Sequence, residues 1–481
     1  MVGDVLMKHR PVSLLWISLG TCLIGPGCRT VGPDYHGPPS SSLVNAPAVR
    51  GAFVTPAGSA FAQEPVPDAW WRLYDSAALD ELVRQALAAN TDLREARANL
   101  ARSAALLTEA RAQRQPSLAV NFDPSYQQLS AEEYLYDGSL SPMNLYDSGI
   151  TVSYEVDLFG RLRRAVEAAA ADNEAVKAAY ERAQVKVAAE VARAYAQACD
   201  AGEALTVAQH SLQLQLQSAT ITARLVEAGR AARLDFTRSS GQVAQIRANI
   251  PKFEAQRTNA LYRLAALTGR PPAEFPRSVE SCLKAPRLTQ PLPVGDATAM
   301  LRRRPDVREV ERLLASATAR IGVATADLYP RVTVGLSAGS TGALTDLLTR
   351  RTDRYGVGVG VHWDANRAKA RAQLAAADAS ATFALAQFDG VVLAALRDTE
   401  SALSSYSRDL QRDDDLTTAQ ARAAEAEQEA DRLYRAGKID FLSLLDAQRT
   451  RDVADEASAA SHGQLATDQV VIFLNLGGGW Q

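Results

Sequence analysis

Three glycines at alternate positions, Gly356, Gly358 and Gly360 in RYGVGVGVHWD (354–364), have the spacing that comes closest to a chemical site. Glycines that cradle a phosphate lead from a strand into the N-terminus of a helix. Here the glycines alternate instead with an unbroken apolar row: Tyr355, Val357, Val359, Val361 and Trp363. That period of two favours a β-strand with apolar bulk on one face and very small residues on the other.

Residue types that bind metals or catalyse reactions are present, but without the spacing that such sites need. The five histidines are scattered: His9, His36, His210, His362 and His462. The four cysteines form no CxxC pair: Cys22, Cys28, Cys199 and Cys282. There is no HExxH motif, and no histidine is placed in the sequence to activate Cys199 or Cys282. We therefore expect no metal site, no cofactor, no disulfide framework and no enzymatic activity.

The composition of the 481 residues points to long helices and gives no sign of a nucleic-acid partner. Lysine and arginine number 52 against 55 aspartate and glutamate residues, a net charge of −3, so the chain has no general basicity. Only 6% of the residues are aromatic, whereas alanine, arginine, leucine, glutamine and glutamate crowd the middle of the chain. These residue types have the highest helix propensities.

The N-terminus has the features of a secretory signal. A basic cluster at 8–10 precedes an uncharged run from Pro11 to Cys28, which is too short and too glycine-rich at its end for a good membrane span. Met7 is an alternative start to Met1. No later run approaches 18 apolar residues, so we expect that no helix of the mature chain crosses a bilayer.

The chain contains an internal repeat. With an offset of 214 residues, LAANTDLREARANL from Leu87 aligns with LRRRPDVREVERLL from Leu301. Equivalent residues include Asp92 and Asp306, Arg94 and Arg308, Glu95 and Glu309, and Pro116 and Pro330. Repetition on this scale indicates two copies of one structural unit, which we place at 71–281 and 282–481.

Each copy contains two strand-like runs with one apolar face. They lie at about 116–126 and 149–159 in the first copy, and at about 330–340 and 354–364 in the second. A soluble sheet would need adjoining amphipathic helices to cover that face, and its edges would stay open. A membrane barrel explains both faces, since apolar residues would meet lipid while small or polar residues line a lumen. Four strands cannot close around a pore, so several chains must contribute.

Long helices form the rest of each copy. No proline occurs between Pro142 and Pro251 or after Pro330, and apolar or small residues recur at intervals of three and four. We expect these helices at about 161–228, 234–268, 366–436 and 441–475. The longest would each span roughly 100 Å at 1.5 Å per residue. Gly229 and Gly437 end the longer helix of each pair and indicate the tips of helical hairpins.

Together and in order, these features resemble the outer membrane factor family, the TolC/OprM-like channels and NodT-type lipoproteins of Gram-negative efflux and secretion systems. The resemblance is carried by GCRTVGPDYHGPP (27–39), DAWWRLYDSAALDELVRQALAANTDLREA (68–96), the two glycine turns, FLSLLDAQR (441–449) and LGGGW (476–480). It implies a mainly α protein with a membrane β-barrel part. Three chains of four strands would form a trimeric 12-stranded barrel, continued by a long α-helical periplasmic tunnel.

The resemblance also implies which residue anchors the chain to the membrane and which residues contact a periplasmic adaptor. Residues 1–27 would be a lipoprotein signal peptide, Cys28 the lipidated residue and 28–70 a lipid-anchored extended segment, with Cys22 as a competing lipidation site. An ordinary signal with incidental cysteines is the alternative. The tips that a periplasmic adaptor grips would be Gly229, Arg230, Gly437 and Lys438, although a plain left-handed turn explains these glycines as well.

A periplasmic gate is implied at Asp446, Asp235 and Tyr434. Three Asp446 carboxylates around a threefold axis would repel one another unless they are screened, solvated or bound to a cation. Alternatively, Asp446 belongs to a solvated helix face. The basic partner that the resemblance implies two residues after Gly437 is Ile439 here, with Lys438 beside it, so the match to the closing network is incomplete.

The function implied is that of a passive exit duct for small molecules in the outer membrane, as part of a tripartite efflux system. The chain would form a homotrimer, and its partners would be a periplasmic adaptor, an inner-membrane pump and outer-membrane lipid. No nucleic-acid partner is expected. Two other functions stay open. A lipid-tethered periplasmic coiled-coil scaffold would need the long helices but not four one-sided strands. The exit duct of a type I protein secretion system would share the whole architecture.

Overall fold

The structure, a computed structural model, describes residues 30–38, 42–49, 51–55, 60–132, 135–347 and 349–478. The expected signal peptide at 1–27 and the expected lipidation site Cys28 lie outside these residues. Two compact units divide the chain. The sheet unit comprises the described residues of Met1–Tyr35, Leu107–Ala169 and Ala317–Ala381, and the helical unit those of His36–Leu106, Ala170–Ser316 and Thr382–Gln481. Each unit takes residues from both sequence repeats, so the compact units differ from the repeats.

Eight α-helices and six strands occur within the described residues. The helices are α1 (Ala77–Ala89), α2 (Thr91–Ala112), α3 (Arg161–Glu227), α4 (Arg233–Leu267), α5 (Ala297–Arg303), α6 (Pro305–Ala326), α7 (Arg367–Arg435) and α8 (Phe441–Asn475). The strands are β1 (Phe61–Ala62), β2 (Ser117–Gln127), β3 (Met143–Val156), β4 (Leu292–Pro293), β5 (Arg331–Ala343) and β6 (Asp353–His362). β3 begins at Met143 rather than at about 149, because residues 143–148 continue the pairing with the second half of β2.

The sheet unit contains a four-stranded antiparallel sheet in the order β2-β3-β5-β6. The pairing of β3 with β5 joins the hairpin of one repeat to that of the other. Registers align residues in rows across all four strands, such as Leu118, Val152, Leu336 and Val357, and next to it Ser117, Ser153, Gly335 and Gly358. Because side chains alternate along a strand, the apolar rows share one face and the small or polar rows share the other.

The helical unit is built around one apolar core. The ring of Trp70 stacks on that of Phe473 in α8 with 4.7 Å between centroids, and both side chains are fully buried. Leu79 of α1, Leu264 of α4 and Val392 of α7 belong to the same cluster. The DAWW stretch of the sequence is therefore part of the core that holds these helices together.

One disulfide bond corrects the expectation that the cysteines form no disulfide framework. Cys199 of α3 is bonded to Cys282, which lies in the segment between α4 and α5. A separation of 83 residues hides this pair from any local spacing rule. Gly202 of α3 permits the approach, since a Cβ there would lie 2.7 Å from the carbonyl oxygen of Cys282.

Among the residues that the structure describes, one helix is long and apolar enough to cross a membrane by length and composition. It is α7, in which an 18-residue window has a mean hydropathy of 1.5, with 17% of the window buried. The sequence-based expectation of no such helix relied on continuous apolar runs, whereas Asp389 interrupts this one. A single helix of this kind is weak evidence for a membrane span, because helices of soluble proteins pass the same test.

Candidate functional site

The side chains on the apolar face of the sheet are exposed. Val357, Val359 and Val361 of β6 are 75%, 68% and 67% exposed, and Leu336 of β5 is 52% exposed. Trp363, just beyond β6, donates its indole N–H to the backbone oxygen of Leu328 at 3.2 Å. A face of this kind is costly in water and favourable in lipid.

The opposite face of the sheet carries small and charged residues. Arg354 of β6 forms an ion pair with Asp147 of β3, so its side chain reaches across β5. The row that it crosses contains two glycines, Gly149 and Gly339. A Cβ on Gly149 would lie 3.2 Å from the Arg354 guanidinium. The glycines therefore let this side chain lie along the sheet instead of projecting from it.

A sequence on this face matches a catalytic motif but forms part of a regular β-strand. GLSAG (335–339) matches the GxSxG pattern of serine nucleophiles, which requires a sharp turn from a strand into a helix. Ser337 lies in the middle of β5, opposite Thr151 and Gly356. Among the residues that the structure describes, no group of three or more His, Cys, Asp or Glu side chains is placed to hold a metal ion.

The segment that follows the expected lipidation site is held by a buried arginine. The side chain of Arg164, in the first turn of α3, is 3% exposed. Its guanidinium donates to the backbone oxygens of Val31 and Gly32, both at 3.2 Å, and to the carboxylates of Asp34 at 2.6 Å and Glu167 at 2.7 Å. VGPD (31–34) is therefore docked on the sheet unit, a few residues from Cys28.

Replacing Arg164 with leucine is expected to release this segment and to lower the free energy of unfolding by about 2 kcal/mol, because charge-assisted hydrogen bonds are lost. Faster proteolysis within residues 28–38 and a lower melting temperature would report it. Arg163→Leu is the matched control, since the exposed side chain of Arg163 donates to the Thr30 hydroxyl at 2.7 Å. Equal effects of the two substitutions would contradict this role of Arg164.

Both glycine turns expected at the tips have the geometry of a Schellman motif. Gly229 and Gly437 have φ angles of +68° and +70°, a region that favours glycine. In each turn the amide of the next residue, Arg230 or Lys438, donates to a carbonyl five positions earlier, and the glycine amide donates to one three positions earlier. Arg230 and Lys438 are exposed. The turns thus present two cationic side chains to the surroundings.

Two of the three expected gate residues come together beside these turns. Asp235 lies in the first turn of α4 and Tyr434 in the last turn of α7. Burial, and then the nearby charge of Asp235, raise the pKa of the Tyr434 hydroxyl. The third residue, Asp446, is exposed on α8. Its backbone oxygen accepts a hydrogen bond from the Thr450 hydroxyl at 2.9 Å.

A polar network near the gate residues was not expected from the sequence. Nε of Arg449 in α8 donates to Gln242 of α4 at 3.0 Å, and Gln242 donates to Asp452 at 3.4 Å. Arg451 pairs with Glu427 of α7 at 2.8 Å. These contacts tie α8 to α4 and α7. The signal in the sequence was the pair of arginines in AQRTRD, but their partners depend on how each helix is rotated.

Known proteins resemble this chain over nearly its whole length. It is 31% identical over 432 residues to the pyoverdine export outer membrane protein OpmQ of Pseudomonas putida, an alignment that covers 87% of this chain and 90% of that protein. It is 27% identical over 487 residues to the probable outer membrane lipoprotein SilC of Salmonella typhimurium, with 96% and 98% covered.

The fold and the family agree with these similarities. The structure of the outer-membrane channel OprN superimposes with a TM-score of 0.87 at 34% identity, covering 94% of this chain and all of that one. The family described as outer membrane efflux protein matches residues 82–270 and 298–478, one segment in each repeat. The chain therefore belongs to the outer membrane efflux protein family.

Proposed function

We propose that the protein is a passive exit duct for small molecules in the outer membrane, working in a tripartite efflux system. The observation that carries this proposal is the sheet with one continuous apolar face. Its valines are two-thirds exposed or more along β6. The row of Val357 continues across all three other strands, and the rows of Val359 and Val361 continue across β5 and β3. Lipid is the environment in which such a face is stable, and the small residues of the other face would line a wide lumen.

A homotrimer would complete the barrel. β2 and β6 are the outer strands of the sheet, and each has a row of backbone donors and acceptors on its outer side. In lipid these groups need partners, which the β2 and β6 strands of two further copies can supply. Three chains of four strands then give 12 strands, within the range of closed membrane barrels.

The mass of the detergent-extracted particle, corrected for bound detergent, tests this proposal. Protein from a washed outer-membrane fraction is expected to contain three chains and to conduct ions in a planar bilayer. A monomer without conductance would overturn the duct and favour the lipid-tethered coiled-coil scaffold. A conducting trimer that releases a protein substrate would instead indicate a type I secretion duct.

The helical unit would meet the other components of the system. We assign adaptor contact to the turns at Gly229 and Gly437, where Arg230 and Lys438 are exposed and left-handed backbone sets the turn. An inner-membrane pump would supply the energy, and the duct would add none. Lipid on Cys28 would hold the docked VGPD segment at the membrane surface.

We place the periplasmic gate at Asp446, Asp235 and Tyr434. In a trimer, exposed Asp446 would form a ring of three carboxylates, whose repulsion a bound cation relieves. Asp235 lies where α4 begins and Tyr434 lies where α7 ends, so a conformational change at the turns would move both residues directly. Arg449 and Gln242 would hold α8 against α4 while the gate is shut.

Asp446→Asn is expected to make the conductance several-fold less sensitive to magnesium ions, because an amide ring lacks the charge that binds the cation. Single-channel recording in planar bilayers, with and without Mg²⁺, measures this. Glu456→Gln is the matched control, since Glu456 is also exposed on α8 but lies ten residues further along. A wild-type conductance that Mg²⁺ leaves unchanged would contradict the carboxylate ring.

A further inference from the structure

A cluster of ionisable side chains joins three helices of the helical unit away from the turns. His462 of α8 lies between two carboxylates: its Nδ1 is 3.6 Å from Glu203 of α3, and its Nε2 is 3.7 Å from Asp413 of α7. The three side chains are 19%, 19% and 11% exposed. Asp200, one turn before Glu203, packs against Gly463, where a Cβ would lie 2.0 Å from its carboxylate.

This cluster leaves hydrogen-bonding capacity unused. Within the described residues, four of its buried atoms have no hydrogen-bond partner: Asp200 Oδ1, Glu203 Oε2, Asp413 Oδ1 and His462 Nδ1. Asp413 as a whole is 8% exposed, and its other oxygen accepts from Arg287 at 2.8 Å. Buried polar atoms without partners are destabilising, so an arrangement that supplies donors to them is favoured.

Protonation of His462 supplies a donor to each of the two carboxylates that its ring nitrogens face. A neutral imidazole donates from one nitrogen only, whereas an imidazolium donates from both. Each nitrogen of His462 faces a different carboxylate on a different helix, so the charged ring can bond Glu203 and Asp413 at once. We propose that His462, Glu203 and Asp413 form a proton-operated clamp, which fastens α8 to α3 and α7 in acid and loosens as the pH rises. The channel architecture is not needed for this inference.

Neighbouring groups modulate the clamp. Burial and the charge of Glu203 raise the pKa of Asp200 to about 6. Burial, together with the contact of Asp409, raises the pKa of Asp468 to about 6. A carboxyl whose pKa is higher in the folded state gives stability that is complete below its ordinary pKa and is lost as the pH rises through about 6. Both carboxyls therefore favour the packed helices in acid. Arg287 limits the effect, because it holds Asp413 through the 2.8 Å hydrogen bond.

The clamp is tested by the melting temperature of the purified full chain in detergent between pH 5 and pH 8. The wild-type melting temperature is expected to fall across this range, and His462→Gln to reduce that fall by at least ~2 °C. His210→Gln is the matched control, because His210 is exposed on α3. Parallel profiles of wild type and His462→Gln would overturn the proposal, as would a uniform loss of stability at every pH.

A second measurement needs no substitution. Amide hydrogen exchange of the wild type, corrected for the intrinsic effect of pH, is expected to show stronger protection at pH 5.5 than at pH 7.5 around residues 200–206 and 459–466. The segment 242–248 of α4 serves as the internal reference. Equal protection at both pH values would overturn the clamp even if His462→Gln failed to fold.

Discussion

Replacing both Cys199 and Cys282 with serine is expected to lower the free energy of unfolding by about 4–5 kcal/mol. The bond closes a loop of 83 residues between α3 and the segment that joins α4 to α5, and long loops gain most from closure because the cross-link restricts the unfolded chain. Cys199 is also fully buried. The outer-membrane location fits this bond, since disulfides persist in the oxidising periplasm.

Urea unfolding in detergent, with and without a thiol reductant, measures the effect. The wild-type midpoint is expected to fall to that of the double variant when reductant is present, whereas the double variant should not respond to reductant. Cys199→Ser alone, measured in reductant, separates the packing cost of the buried side chain from the loss of the cross-link. Identical midpoints of wild type and double variant without reductant would show that the bond contributes nothing.

The disulfide also marks where sequence reasoning fails. Proline spacing and three-four periodicity are local signals, and they locate α3 and α7 because each helix is one uninterrupted stretch. The pairing of Cys199 with Cys282 depends on where the segment between α4 and α5 crosses α3, which no local pattern records. Gly202 is the sole glycine of α3, and its close contact with the Cys282 carbonyl shows in retrospect that another segment crosses there.

Some features of the candidate sites could be predicted from the sequence, and others could not. The turns at Gly229 and Gly437 could be predicted from the sequence, because the residue that ends a helix in the left-handed conformation is usually a glycine. The bond between Arg449 and Gln242 could not, since it depends on the rotation of α8 against α4. SLQLQLQS (211–218) alternates like a strand yet lies within α3, where the surrounding helix overrides the short pattern.

Replacing Leu336 with arginine is expected to abolish the folded protein in the outer membrane. Leu336 lies in the middle of β5, opposite Val152 and Val357 on the apolar face, and is 52% exposed. An arginine facing lipid near the midplane of a barrel costs about 2–4 kcal/mol, and three copies in the proposed trimer raise this to about 6–12 kcal/mol. That sum approaches the whole stability of an ordinary folded domain.

Ser337→Arg is the matched control, because the next residue of the same strand points to the polar face, where Arg354 already lies along the sheet. The amount of trimer in washed outer membranes, and its resistance to unfolding in detergent, should stay near the wild-type level for Ser337→Arg and be lost for Leu336→Arg. The two variants thus compare the two faces of the sheet, because each introduces one arginine into the same strand at nearly the same depth in the membrane. If both variants accumulated equally, the apolar face would not meet lipid, and the barrel would have to be abandoned. If only Ser337→Arg were lost, the two faces would be reversed, and the glycines of β6 would face the membrane.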